Sequence, residues 1–386
     1  MTASAASGVG LIGCGSIAVT RHIPAWLGEP SGYRLTAVAD PTPARRELAR
    51  ETANLPEESA VADYTEILQR DDIGVVDACV PPGARPAIVI AAAASGRHVL
   101  CEKPFATIPV MGQQMVDAAS SAGVTLGVVH NYLFFPEIMR VRKAIADGAI
   151  GNVEVVIMNY LGVRDDPGNS DYRPAWRHDP AEAGGGVLMD LQHVVYLAEA
   201  FLGKPTGAVS AFMTARTAGA PVEELVSLRL ETDDAVAIIN LAWGVGPGGI
   251  QIMGSHGRLS INYEGGGTSP FSPLESVELV NAQGRKFLDI PTTQDFLRPS
   301  VDDFAAAVRE GRRPVADGAA ALHVLEATLA AYASAATGRT TAVPFDRADP
   351  VYLRGVHGLP DLSVSEESAI YRKGMFGLGH LAERRS

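Results

Sequence analysis

Residues 9–18 read VGLIGCGSIA. The apolar run Val9–Ile12 predicts a buried strand, Gly13-Cys14-Gly15-Ser16-Ile17-Ala18 a glycine turn, and the segment from Arg21 to Leu27 a helix. In such a unit Gly13 permits the tight turn, Gly15 lets backbone approach a pyrophosphate, and the small Ala18 lets helix pack on strand. A second strand, Leu35–Ala39, ends at Asp40, where a carboxylate can accept hydrogen bonds from ribose hydroxyls. The alternation continues through helix 44–53, strand 75–80, helix 86–95, strand 98–101, helix 110–122 and strand 125–129. Strands and helices alternating in this way predict a Rossmann-type, doubly wound parallel sheet. Ligands of such sheets lie beyond the carboxyl ends of the strands, where Pro81-Pro82, Glu102-Lys103-Pro104 and His130-Asn131 fall. Gly13, Gly15, Ser16, Ile17, Asp40, Pro81, Glu102, Lys103 and Asn131 are the candidate cofactor residues. Asp40 favours NAD, because a carboxylate at the ribose edge repels a 2′-phosphate. Arg45 and Arg46 lie close by and could accept that phosphate if Asp40 turned away, which keeps NADP possible.

A chain of 386 residues exceeds the roughly 250–300 at which a single core stops growing, so more than one domain is expected. Residues 1–131 form the dinucleotide-binding part. After Asn131 the periodicity changes, and residues 132–346 read as an α+β domain whose strands follow one another closely. Val226, Leu228 and Leu230 alternate there with Ser227, Arg229 and Glu231, the pattern of a mostly antiparallel sheet with one packed face. Between them runs a Gly/Asp/Pro/Arg-rich stretch, 162–186, long enough to suggest function. The tail, 347–386, is either an arm that packs on a neighbouring subunit or a loosely ordered terminus.

The formal net charge of −12 gives no general attraction to phosphate backbones or anionic lipid, so neither nucleic acid nor a membrane is an expected partner. The N-terminal MTASAASGVGLIG lacks the basic region of a secretory signal, and no stretch approaches the ~20 apolar residues of a membrane span. A cytoplasmic protein is expected. Cys14, Cys79 and Cys101 have no CxxC spacing. They read as buried, reduced thiols, and no metal is expected.

VPPGARPAIVIAAAASGRHVLCEKPFA (80–106), GAIGNV (148–153), GGGVLMDLQH (184–193) and the run 302–344 together resemble the glucose–fructose oxidoreductase/inositol dehydrogenase (Gfo/Idh/MocA) family. The resemblance covers about residues 8 to 345. It implies hydride transfer between NAD(H) and a hydroxyl or carbonyl of a carbohydrate-like small molecule, with Lys103 as the acid/base. It also implies a homodimer or homotetramer built on the open face of the second sheet. Three positions depart from the family pattern: Arg85-Pro86 replaces a usual histidine, Leu133 a common arginine, and the Asp190-to-His193 step is three residues where four is usual. These departures bear on the substrate.

Oxidising a secondary alcohol requires a base for the hydroxyl proton and a geometry that points the carbinol hydrogen at the nicotinamide. Lys103 is the candidate base, and the Lys103–Pro104 bond a candidate for cis. Asp190 and His193 follow the triple glycine, and on one continuous helix a three-residue step would leave both on one face. They are candidates for catalysis and substrate binding, with Tyr160, Trp176 and Arg177 as further substrate contacts and Tyr132 beside them. His22 reads as structural. Two other functions within the family compete with a simple dehydrogenase. One is NAD-dependent glycoside cleavage by oxidation and elimination, and the other a non-catalytic cofactor-binding regulator.

Overall fold

β1 (Gly8–Ile12) is buried at every position, as a central strand of a parallel sheet covered on both faces must be. With β2 (Arg34–Ala39), β3 (Ala60–Val61), β4 (Ile73–Ala78), β5 (His98–Cys101) and β6 (Leu126–Val128) it forms a six-stranded sheet in the order β3-β2-β1-β4-β5-β6. Every pairing is parallel. The strand order reverses between β1 and β4, the switch point at which such sheets bind ligands. The structure, a computed structural model, describes residues 7–163, 179–215, 220–244, 248–263, 273–292 and 295–359. Trp176, Arg177 and the tail beyond residue 359 lie outside the described residues.

The chain divides into two compact units, the first made of residues up to Asn131 together with 295–322. The sequence reading assigned that second stretch to the other domain. Its helix Arg298–Glu310 buries Val301, Phe304 and Ala305 in the core that holds Val9, Leu11, Trp26 and Leu100. The backbone beyond the helix pairs with β6, Val128 N–H donating to Ala316 O at 2.9 Å. Chain order predicts neither contact.

In the second unit β7 (Val153–Val163), β8 (Ala208–Thr214), β9 (Leu225–Glu231), β10 (Val236–Trp243), β11 (Gly248–Gly254), β12 (Gly257–Tyr263), β13 (Leu274–Asn281), β14 (Gly284–Phe287) and β15 (Thr341–Ala342) form one sheet, ordered β14-β13-β12-β11-β7-β10-β9-β8-β15. All of its pairings are antiparallel except β7 with β10. The predicted combination of a parallel Rossmann sheet and a mostly antiparallel α+β domain is therefore present. Val226, Leu228 and Leu230 are buried, whereas Arg229, Phe212 and Ile238 stand exposed on the other face. That open face is the one the family resemblance assigns to homo-oligomers.

The expectation that no stretch approaches the length of a membrane span needs correction. Gly318–Thr337 is long and apolar enough to cross a membrane, although 78% of its most apolar window is buried within the protein. Part of the tail is structured, since the short helix Pro350–Arg354 is capped by the Asp349 side chain and buries Val351 and Tyr352.

Candidate active site

The turn after β1 has the geometry its glycines foretold. Gly13 adopts φ +90°, and a Cβ there would lie 2.6 Å from Cys79 O. A Cβ on Gly15 would meet no atom within 4 Å, so the backbone has open space in front of it, as a pyrophosphate requires. Ser16 and Ile17 are exposed and open the following helical turn. The first N–H groups of such a turn have no carbonyl of their own to bond and suit an anion.

Asp40 is held rigidly at the end of β2. Its Oδ2 accepts from Cys14 N–H and its Oδ1 from Thr42 N–H, both at 2.8 Å. Each oxygen keeps a further lone pair for a ribose hydroxyl. Arg46 donates to the Asp40 carbonyl at 2.6 Å, which places a cation at the same edge. These residues fit a bound nicotinamide dinucleotide. Asn131 also belongs to this unit and donates through Nδ2 to Phe296 O at 3.2 Å.

Lys103 follows β5, half-buried, and its bond to Pro104 is cis. The turn is held from two sides. On one, Lys103 N–H donates to Glu102 Oε2 at 2.9 Å. On the other, the buried guanidinium of Arg85 donates to Pro104 O through Nη1 and to Val80 O through Nη2, the latter at 2.6 Å. Arg85 thus ties the loop at Pro81 to the loop at Lys103, and it stands where the family pattern has a histidine. Pro81 starts the same arrangement, its carbonyl accepting from Ala84 and Arg85 N–H. His130, after β6, is buried, and desolvation pushes its pKa down to about 3, so the ring is neutral. All three cysteines are buried and unpaired. His22, Asp77 and Cys79 bring metal-ligating atoms within 4.8 Å of one another. A cation there would need the Cys79 thiolate, which burial strongly disfavours.

In the second unit the expected Asp190–His193 helix is broken. Val187–Asp190 forms one short helix and His193–Leu202 the next, with Leu191 at φ −103°, ψ 31° between them. Asp190 therefore ends one helix and His193 begins another, so the two residues do not share one helix face. His193 is buried, stacks on Tyr132 with centroids 3.8 Å apart, and shares a hydrogen bond through Nδ1 with the Tyr196 hydroxyl. That hydroxyl already accepts Tyr132 N–H at 3.3 Å. When the phenol donates to Nδ1, the ring proton lies on Nε2, which makes a neutral His193 a donor. Tyr160 is fully buried on β7, and burial pushes its phenol well above the usual tyrosine range. Gln192, between the two short helices, is fully buried, and neither of its amide atoms has a partner among the described residues.

Glu223 was missed by the sequence reading. Its buried carboxylate accepts from Gly186 N–H at 2.8 Å, Leu188 N–H at 3.0 Å and the Tyr332 hydroxyl at 2.7 Å, and so fixes the turn that leads to Asp190. Burial pushes this carboxyl up to about 7, outweighing the three hydrogen bonds that favour the charged form. The native state therefore binds this proton more tightly than the unfolded chain does. Its contribution to stability is full below pH 4.5 and is lost as pH rises through about 7. A rise from 4.5 to about 7 is worth about 3 kcal/mol. The stability of the wild type relative to Glu223→Gln should fall by that order between about pH 5 and 8, read as urea midpoints across the range. A gap independent of pH would refute the assignment.

The sequence pattern of an oxidoreductase family with an NAD-binding Rossmann fold matches residues 7–130, and that of the GFO/IDH/MocA C-terminal domain matches residues 138–260. The chain belongs to the Gfo/Idh/MocA family. Within it, the chain is 30% identical to D-xylose 1-dehydrogenase (NADP(+)) 2 of Haloferax volcanii over 85% of this chain and 97% of that one. Among solved structures, the WlbA dehydrogenase of Bordetella pertussis in complex with NADH and UDP-GlcNAcA is 26% identical with a TM-score of 0.73, covering 88% and 99% of the two chains. The aldose–aldose oxidoreductase of Caulobacter crescentus, complexed with glycerol, shares the fold with a TM-score of 0.76 at 24% identity, over 87% and 99%. The protein is thus an NAD(P)-dependent Gfo/Idh/MocA oxidoreductase.

Proposed function

We propose that the protein interconverts a secondary hydroxyl and a carbonyl on a sugar, cyclitol or amino sugar, using NAD(H) with NADP(H) as the lesser cofactor, and that Lys103 is the acid/base. The observation that carries this reading is the Lys103 turn. The half-buried Lys103 stands at the carboxyl end of β5, one strand from the switch point, on backbone held by Glu102 and Arg85. The relatives named as sugar dehydrogenases and as an NADH and nucleotide-sugar complex support the substrate class.

Gly15, Ser16, Ile17 and Asp40 would hold the dinucleotide, and the nicotinamide, when bound, supplies hydride acceptance or donation. Lys103 Nζ takes the hydroxyl proton as the alcohol is oxidised and returns it in reduction. His193, donating from Nε2, and Asp190, accepting, bind the hydroxyls of the substrate and orient the reacting carbon. Asp40 sets the preference for NAD(H).

The test incubates purified protein with inositols, hexoses, pentoses, amino sugars and glycosides, each with NAD⁺ and with NADP⁺, followed at the reduced-nicotinamide absorbance. Sustained NADH formation on a free sugar or cyclitol, weaker with NADP⁺, is expected. A transient signal with a cleaved glycoside would replace the dehydrogenase by the oxidation–elimination reaction. Binding of NADH with no turnover on any substrate class would leave a regulator.

A further inference from the structure

Beneath the Lys103 turn the interior is lined with charge. His22 is fully buried, with Nδ1 2.8 Å from Asp77 Oδ2 and Nε2 3.0 Å from Glu102 Oε1. Asp77 also accepts from Trp26 Nε1 at 2.6 Å and from Cys79 Sγ at 3.5 Å. Glu102, through its other oxygen, accepts the Lys103 amide. A continuous chain therefore runs from Trp26 through Asp77, His22 and Glu102 to Lys103.

The proton count of that chain follows from its geometry. Both imidazole nitrogens face carboxylate oxygens, yet a neutral ring has one N–H and one lone pair. A neutral His22 would set its lone pair against a carboxylate, at a depth where an unmade hydrogen bond is costly. A ring protonated at both nitrogens satisfies both contacts. We propose that His22 is a positioning residue for Lys103, a buried imidazolium that bridges Asp77 and Glu102 and so fixes the carboxylate on which the Lys103 amide is anchored.

The groups around the ring agree with that charge. Asp77 and Cys79 from β4 and the loop after it face Nδ1, and Glu102 faces Nε2; Arg85 from the next helix, Lys103 and His130 surround Glu102. Arg85 and Lys103 both offset the Glu102 carboxylate, whereas a protonated His22 is the cation that faces Glu102 and Asp77 together. Burial works against a charge on His22, but its contacts with Asp77 and Cys79 together outweigh it and hold the ring well above the ordinary histidine range. Burial likewise raises Glu102, and the bond to His22 together with the charges of His22, Lys103 and Arg85 more than offsets that.

This inference rests on the reading of Lys103 as acid/base, and its test separates the two. Apo-protein labelled with ¹⁵N-histidine gives one ring that keeps both nitrogens protonated past the pH at which free histidine loses its proton. That signal is absent in His22→Gln and displaced in Glu102→Gln. In His22→Gln, kcat falls about tenfold to a hundredfold, while NADH affinity and KM stay within a few-fold. The limb of its kcat/KM profile that reports the acid/base moves to higher pH, because an uncompensated Glu102 carboxylate favours a neighbouring cation. A His22 ring that is neutral at pH 7 in the wild type overturns the proposal even if the variant fails to fold. So does an unaltered kcat and pH profile in a folded variant. If Lys103→Met retains turnover while the doubly protonated ring persists, the acid/base reading has failed and the buried imidazolium stands.

Discussion

Lys103→Met lowers turnover by about a hundredfold or more, the usual worth of a general acid–base group, while the affinity for NADH changes by no more than a few-fold. Methionine keeps the length and most of the volume of the side chain and removes only its capacity to carry a proton. The turn should survive the change, because its anchors are backbone groups: Lys103 N–H on Glu102 and Pro104 O on Arg85. The residues proposed to hold the cofactor, the turn after β1 and Asp40, lie on different strands of the sheet. Fluorescence titration with NADH and steady-state rates on a substrate found in the panel separate the two effects. Loss of NADH affinity with turnover preserved would make Lys103 a cofactor ligand and leave the reaction without its base.

The backbone frame of the proposed cofactor site was legible because it depends on local chemistry. A strand, two glycines, a small residue and an acid at the end of the next strand each impose their own backbone, and Gly13, Gly15 and Asp40 stand where that logic puts them. What escaped the reading depends on contacts distant in sequence. His22 is a single histidine until the fold brings Asp77 and Glu102, 55 and 80 residues away, onto its two nitrogens. Glu223, just ahead of a strand, looks like any surface acid, and only burial beside Gly186 and Tyr332 gives it a role. Arg85 was noticed as a departure bearing on the substrate, whereas it grips two main-chain loops. The Asp190–His193 step was argued on an unbroken helix, and the break at Leu191 leaves no mark in an apolar pattern that continues across it.

The two glycines of the first turn should fail in different ways when given the same methyl group. At Gly13, alanine must adopt φ +90°, and its Cβ would lie 2.6 Å from Cys79 O and 2.8 Å from a Val80 methyl. Neither side can yield easily, since Gly13 N–H bonds Ala39 O and Cys79 N–H bonds Ile12 O, both at 2.8 Å. Left-handed strain and overpacking together cost about 2–4 kcal/mol, so Gly13→Ala should lower the urea midpoint of the apo-protein substantially. At Gly15 the backbone is not left-handed and the new Cβ meets nothing within 4 Å. The apo-protein should then unfold within about 0.5 kcal/mol of the wild type. The methyl group would occupy the space through which backbone must approach a pyrophosphate, and NADH should bind at least about tenfold more weakly, a loss of about 1.4 kcal/mol. Urea unfolding of both apo-variants beside NADH titration distinguishes the positions. A Gly15→Ala protein that is stable and binds NADH like the wild type would move the phosphate away from this turn, and with it the assignment of Ser16 and Ile17.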